Sequence, residues 1–243
     1  MITSYKELPV GKYLELESIV LGYPDDVERN TLVLSVLTGK TPKELMNMPL
    51  EEYTALNRKA AFLATPPDPR KRVASSYRAG RFDLVPVHDF RKITTAQYVD
   101  FQSFLKAGSD SAVDVDVLSC FLVPKGCTYC DGYEPSEVKA AIREGLSVED
   151  ALTLHRFFFL ASVNSMRRSA TSLTARAKRL GRMAVRLERT GRADPGAVEA
   201  IKRKVRTMEE ETDRLLSRTD GDGLRMSMPF QRLSAVIGIP SGR

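Results

Sequence analysis

The chain has 243 residues, 42% of them hydrophobic and 28% charged. This composition supports one large folded domain or two small ones and excludes wholesale disorder, collagen and a coiled-coil-only architecture. No stretch approaches the roughly eighteen consecutive apolar residues of a membrane span, and Met1 to Val10 lacks a basic segment followed by an apolar one, so neither a span nor a secretory leader is expected. Three cysteines cannot all pair within one chain, and a cytosolic protein without a disulfide framework is expected.

The formal net charge of +6 is unevenly placed: between His155 and Arg218, 16 Lys and Arg stand against 7 Asp and Glu, so the remainder is net acidic. Catalytic signatures are missing. There are two histidines, His88 and His155, and no phosphate-binding glycine loop, dinucleotide fingerprint, zinc-protease motif or nucleophile elbow. The expectation is a protein that is not an enzyme and carries no cofactor and no metal.

In chain order, residues 1–64 form a first helical module. Tyr13, Leu16, Ile19 and Val20 recur at helical spacing, and Leu32 to Leu37 is the buried run of a second helix. Thr41, Pro42 and Glu44 read as a cap, a first-turn proline and a capping-box partner, and Pro49 opens the last helix. Residues 65–92 form a connector, whose three prolines Pro66, Pro67 and Pro69 suit neither a helix nor a central strand. In it, Arg81 to Val87 reads as one short strand that could pair with the N-terminal residues. Arg70, Lys71 and Arg72 read as solvated charge rather than a phosphate grip.

Residues 93–163 repeat the first module in order. Tyr13 falls on Tyr98, Leu14 on Val99, Glu15 on Asp100, Leu16 on Phe101 and Ser18 on Ser103. Leu34 to Leu37 falls on Leu118 to Phe121, Leu50 on Val148, Leu56 on Leu154, and Phe62-Leu63 on Phe159-Leu160. The pattern predicts a duplicated helical unit of about seventy residues, with an inserted loop at 124–134 in the second copy. Thr94 or Thr95 caps its first helix, Val115 to Val123 is either a helix or a strand, and Glu134-Pro135 and Ser147 with Asp150 open later helices. Cys127 and Cys130 have the spacing of half a metal site or a redox pair, but read as plain loop thiols. His88 and His155 read as helix-end or surface residues, and the run Phe157 to Leu160 as core.

Residues 164–218 predict a basic antiparallel helical hairpin. One seam is Met166, Ala170, Leu173, Ala177, Leu180, Ala184 and Leu187; the other is Val198, Ile201, Val205, Met208, Thr212 and Leu215. Gly191 caps the first helix, and Asp194-Pro195 opens the second. The outer arginines, including Arg176, Arg179, Arg182 and Arg186, are candidate partner contacts. They lack the interleaved aromatics that single-strand binders stack on bases. A flexible tail, 219–243, carries Met228, Phe230, Leu233, Val236 and Ile237, the last four on one face of a short amphipathic helix that either docks on the parent domain or binds a partner. The expected fold is mainly α: two duplicated modules, a hairpin and one short β element near 81–87.

Three stretches resemble the tail assembly chaperones of tailed bacteriophages. They are Leu8, Gly11, Tyr13, Glu15 and Leu16; Leu34-Ser35-Val36-Leu37-Thr38-Gly39; and Met48-Pro49-Leu50-Glu51-Glu52-Tyr53. Pro229 to Pro240 is similar to the start of the helical extension those proteins carry. The resemblance implies a chaperone-like protein of the host cytoplasm that binds the tape measure protein or another tail component and keeps it soluble during assembly. The chain departs from that family in its length, its repeated unit and its basic hairpin. These departures leave two alternatives: a structural virion protein (connector, ring or baseplate subunit), self-associating as a homo-oligomer, or a basic helical nucleic-acid-binding protein. No membrane partner is expected.

Overall fold

A computed structural model describes residues 1–65, 67–68, 72–107, 111–190 and 194–220. The readings placed on Pro66, Pro69, Arg70, Lys71, Gly191 and the tail beyond Asp220, which holds Met228, Phe230, Leu233, Val236 and Ile237, lie outside the described residues. So do those on the side chains of Met166 and Leu215. The fold is mainly helical with one small antiparallel sheet. The chain divides into two compact units, the first built from Met1–Phe158 and the second beginning at Phe159.

Helix starts in the first unit follow local chemistry. Helix α1 (Val10–Gly22) begins after Pro9, and α2 (Asp26–Thr38) is capped by Asp25, whose carboxylate accepts from the Val27 and Glu28 amides. Helix α3 (Pro42–Met46) has the reciprocal Thr41–Glu44 capping box, and α4 (Leu50–Ala60) follows Pro49. Strands β1 (Tyr77–Ala79) and β2 (Phe82–Pro86) form a hairpin turned at Gly80, whose φ of +53° favours glycine. Helix α5 (Thr95–Ala107) is capped by Thr94, which exchanges hydrogen bonds with Gln97. Helix α6 (Val115–Phe121) runs directly into β3 (Leu122–Pro124). Helix α7 (Pro135–Gly145) and the start of α8 (Val148–Thr190) complete the unit. Ser147 caps α8, accepting from the Asp150 amide at 3.2 Å and donating to its carboxylate at 2.8 Å.

Three expectations are corrected here. The strand at 81–87 does not pair with the N-terminal residues: β2 lies between β1 and β3, with Leu84 opposite both Tyr77 and Pro124. The N-terminal segment instead bridges the α7–α8 junction at Pro9 and Ser147, with the Val10 amide donating to Leu146 O at 3.0 Å and the Val148 amide to Leu8 O at 2.9 Å. Glu134 makes no side-chain cap to α7; Pro135 alone marks that start. The apolar run 115–123 is both helix and strand, because the chain stops its helix at Phe121 and joins the β2 edge.

The two stretches matched in the sequence hold α1 to α4 and α5 to the start of α8. Their closest match is the central helix: Leu34 and Leu37 are buried, as are Leu118 and Phe121. Leu16 and Phe101 are also both buried. The flanks diverge. Tyr13 is sealed in the core while Tyr98 is 51% exposed, because α5 turns Gln97 inward, where its amide donates to Cys120 O at 3.0 Å. Leu50 is exposed and Val148 buried, whereas Leu63 is buried and Leu160 exposed. Both copies contribute to one hydrophobic core rather than two. At its aromatic centre Phe121 touches Phe90, Phe101 and Phe158 at ring separations of 4.8, 4.9 and 5.0 Å. Of the run 157–160, Phe158 is buried, Phe157 and Phe159 are half-buried and Leu160 is exposed.

Helix α7 packs against α1, α6 and β1. One of these approaches needs glycine and a second is tight. A Cβ on Gly145 would lie 2.8 Å from Gly80 N and 2.9 Å from Ala79 Cα, and one on Gly11 would lie 3.0 Å from Arg143 O. Glu17, buried on α1, accepts from Ser111 Oγ at 2.5 Å and from the Ala112 amide at 3.3 Å, which ties the segment before α6 to the same surface.

In the second unit, the rest of α8 is followed after Thr190 by α9 (Pro195–Asp220). Ala170, Ala177, Ala184, Val198, Met208 and Thr212 are buried, and Leu173, Leu180, Leu187, Ile201 and Val205 are half-buried. Glu188 and Lys202 form an ion pair at 2.5 Å. The ion pair joins the two helices, and a connection of so few residues makes the pair antiparallel.

Gly145→Ala is expected to lower stability by about 1–3 kcal/mol in urea unfolding, because its contacts are backbone atoms that cannot swing aside. Gly22→Ala, with no atom within 4 Å of the added methyl, should be neutral or stabilising by less than about 1 kcal/mol. Ala177→Asp should open the hairpin at a cost of about 3 kcal/mol or more, read as lost helicity in far-ultraviolet circular dichroism.

Candidate functional site

Two surfaces and two clusters of reactive side chains stand out. The first surface is apolar and lies where α2, α3 and α4 meet. Its centre is Thr31, whose hydroxyl donates to Val27 O at 2.8 Å and lies 3.6 Å from Met46 Sδ and 3.2 Å from Tyr53 Oη. Val27 lies one turn before Thr31, Met46 reaches its hydroxyl, and Leu50 lies three residues before Tyr53; the three are 62%, 62% and 79% exposed. Leu50 is left outside because Pro49 starts α4 at the rim, so the first helical residue projects ahead of the packed stripe. Glu28, Glu51 and Glu52, next to Val27 and Leu50 in sequence, are exposed. The sequence motif 48–53 lay in view, but period alone does not tell an outward Leu50 from a core leucine.

The second surface is basic. Arg176, Arg179, Arg182 and Arg186 are all exposed on α8, together with Arg168 and Arg189, which the sequence reading did not single out. At 3.6 residues per turn, Arg168, Ser172, Ala175, Arg179, Arg182, Arg186 and Arg189, spaced four and three apart, share one face opposite the alanine seam. Arg176 instead sits beside the seam. The same spacing rule that found the seam would have found this stripe. From Phe159 to Thr190 the sequence holds a single carboxylate, Glu188, and Lys202 engages it, which raises the lysine's pKa. The tail residues Met228, Phe230, Leu233, Val236 and Ile237 are outside the described residues.

The cysteines surround Tyr129. Its hydroxyl donates to Asp100 Oδ2 at 2.8 Å, leaving its oxygen to face Cys120 Sγ at 3.8 Å. Burial pushes the Cys120 thiol up to about 12, the protonated and unreactive form at neutral pH. Cys127 is half-buried with Sγ 3.9 Å from Gly132 O; Cys130 is exposed in a tight turn with φ of +57°. Among the described residues no group of three His, Cys, Asp or Glu side chains is arranged to hold a metal ion. A shallow pocket of about 170 Å³ is lined by Leu14, Phe104, Asp114, Asp116 and Arg143 among others. There Asp114 is occupied capping α6 and Asp116 is paired with Lys139 at 2.6 Å.

His155 corrects the expectation of a surface histidine. It lies inside α8, and its Nδ1 is shielded from water with no hydrogen-bond partner among the described residues. Burial lowers its pKa below the ordinary 6.5, against an opposing pull from Asp114. His88 packs its ring edge-on to Phe157 at 5.6 Å. No protein-family model, curated protein or solved structure matches the chain.

Because the unfolded chain takes up a proton on His155 at a higher pH than the folded chain, stability should be level above pH 6.5 and fall below it, by up to about 1.4 kcal/mol per pH unit. Urea midpoints measured between pH 7.5 and 5.5, a range above the titration of ordinary carboxylates, should show this decline in the wild type and lose it in His155→Gln.

Proposed function

We propose that the chain is a non-enzymatic assembly protein of a tailed bacteriophage, chaperone-like in action, that binds the tape measure protein or another tail component in the host cytoplasm. The observation that carries this reading is the apolar patch of Val27, Met46 and Leu50. Apolar side chains from three helices, exposed together at one place, are a surface that binds another macromolecule. They fit the apolar stripe of a client helix laid across them. The exposed carboxylates of Glu28, Glu51 and Glu52, next to Val27 and Leu50 in sequence, select clients with basic residues flanking that stripe. Of the patch, Leu50 falls in the stretch 48–53 that carries part of the resemblance to tail assembly chaperones, whereas Val27 and Met46 lie outside the resembling stretches. Among the described residues no helix is long and apolar enough to cross a membrane.

The reading is tested by co-expressing the chain with the tape measure protein of the same phage. The wild-type chain should hold that protein in solution and co-purify with it, and should be absent from finished particles. Leu50→Glu combined with Val27→Glu should weaken the complex at least about tenfold, near 1.4 kcal/mol, without loss of folding. Retention of the chain in purified particles would instead identify a structural subunit, and undiminished binding by the double variant would remove the patch from the account.

A further inference from the structure

The stripe on α8 has a chemistry that the apolar patch does not share, and it calls for a different partner. Arg179, Arg182, Arg186 and Arg189 span ten residues, about 15 Å at 1.5 Å per residue, and Arg168 extends the line to about 31 Å. Between them on the same face are only Ser172 and Ala175, so the helix is slender there and its backbone can come close to a charged surface. Lys178 is exposed beside the stripe, and Arg203, Lys204 and Arg206 are exposed on α9.

We propose that this arginine face binds the phosphate backbone of double-stranded nucleic acid, without base specificity. Three features select that partner over an acidic protein. First, a stable protein interface is centred on buried aromatic or aliphatic anchors, and the positions of the stripe itself hold none, the exposed Met183 and Val185 lying to either side of it; phosphate binding draws on counterion release and needs none. Second, the residues are arginines at helical spacing, whose planar guanidinium groups take phosphate oxygens in pairs. Third, the line of arginines runs along one outer face of the helix for about 31 Å, a length over which it can follow a run of backbone phosphates. The lack of interleaved aromatics is then consistent, since stacking serves single strands rather than duplexes. The inference stands independently of the tail-assembly reading, because it uses a different surface.

The test is fluorescence anisotropy of the full chain with a labelled random-sequence duplex of about 24 base pairs, longer than the stripe. Four phosphate contacts predict affinity falling by about 10²-fold between 50 and 200 mM salt. The quadruple variant Arg179→Gln, Arg182→Gln, Arg186→Gln and Arg189→Gln touches no seam residue. It should lose binding at 50 mM salt while keeping its helicity. Removing the same net charge from the first unit, by Lys6→Gln, Lys40→Gln, Lys43→Gln and Lys59→Gln, should leave binding within about twofold of wild type. The proposal is overturned if the duplex is not bound at 50 mM salt, if the quadruple variant binds as well as wild type, or if the two charge-matched variants lose affinity equally. It also fails if a glutamate homopolymer or a single-stranded oligonucleotide of equal charge binds more tightly than the duplex.

Discussion

Backbone-to-backbone contact on two sides of α7 holds the first unit in register. At one end Gly145 lies against the Ala79–Gly80 turn of the sheet, and one face carries Arg143 into contact with Gly11 of α1. The Gly145 approach is too close for a side chain and the Gly11 approach is tight, so a slide of the helix would disturb both. The chain then closes on itself through the paired amides of Val10 and Val148, which join the start of α1 to the junction between α7 and α8. Because α6 also packs on α7, the two sequence repeats end in a single core, and Leu34 and Leu118 are buried in the same cluster.

That dependence explains what the sequence made legible. Features fixed within four residues were readable: the Thr41–Glu44 and Ser147–Asp150 boxes, the proline starts at Pro42 and Pro135, and the seam of Ala170, Ala177 and Ala184. Features decided by what another segment offers were not. The end of α6 became a strand because β2 had a free edge for Leu122 to Pro124, and no local residue marks the change. Tyr98 looks like Tyr13 in sequence, yet the carbonyl of Cys120 draws Gln97 inward and rotates α5. His155 reads as polar and is shielded because α8 is covered on that side.

The candidate surfaces divided in the same way. The arginine stripe obeys a periodic rule, so Arg168 and Arg189 could have been added to Arg179, Arg182 and Arg186 from spacing alone. The apolar patch could not have been found, because the exposure of Val27, Met46 and Leu50 depends on how three helices meet around Thr31. The two surfaces also differ in physics. One offers apolar area with exposed carboxylates next to it in sequence, suited to a specific protein helix; the other offers mobile positive charge, whose binding weakens steeply with salt.

The central structural claim is that both sequence repeats fold as one cooperative body locked through α7. Native-state hydrogen exchange tests it most directly. The account predicts that the amides of Val10 and Val148, which cross the lock, exchange with the same free energy of opening as the amides of Leu37 in the first repeat and Phe121 in the second, and that all four fall together with added urea. Separate openings for the two repeats, with Val10 and Val148 exchanging well before either, would contradict it.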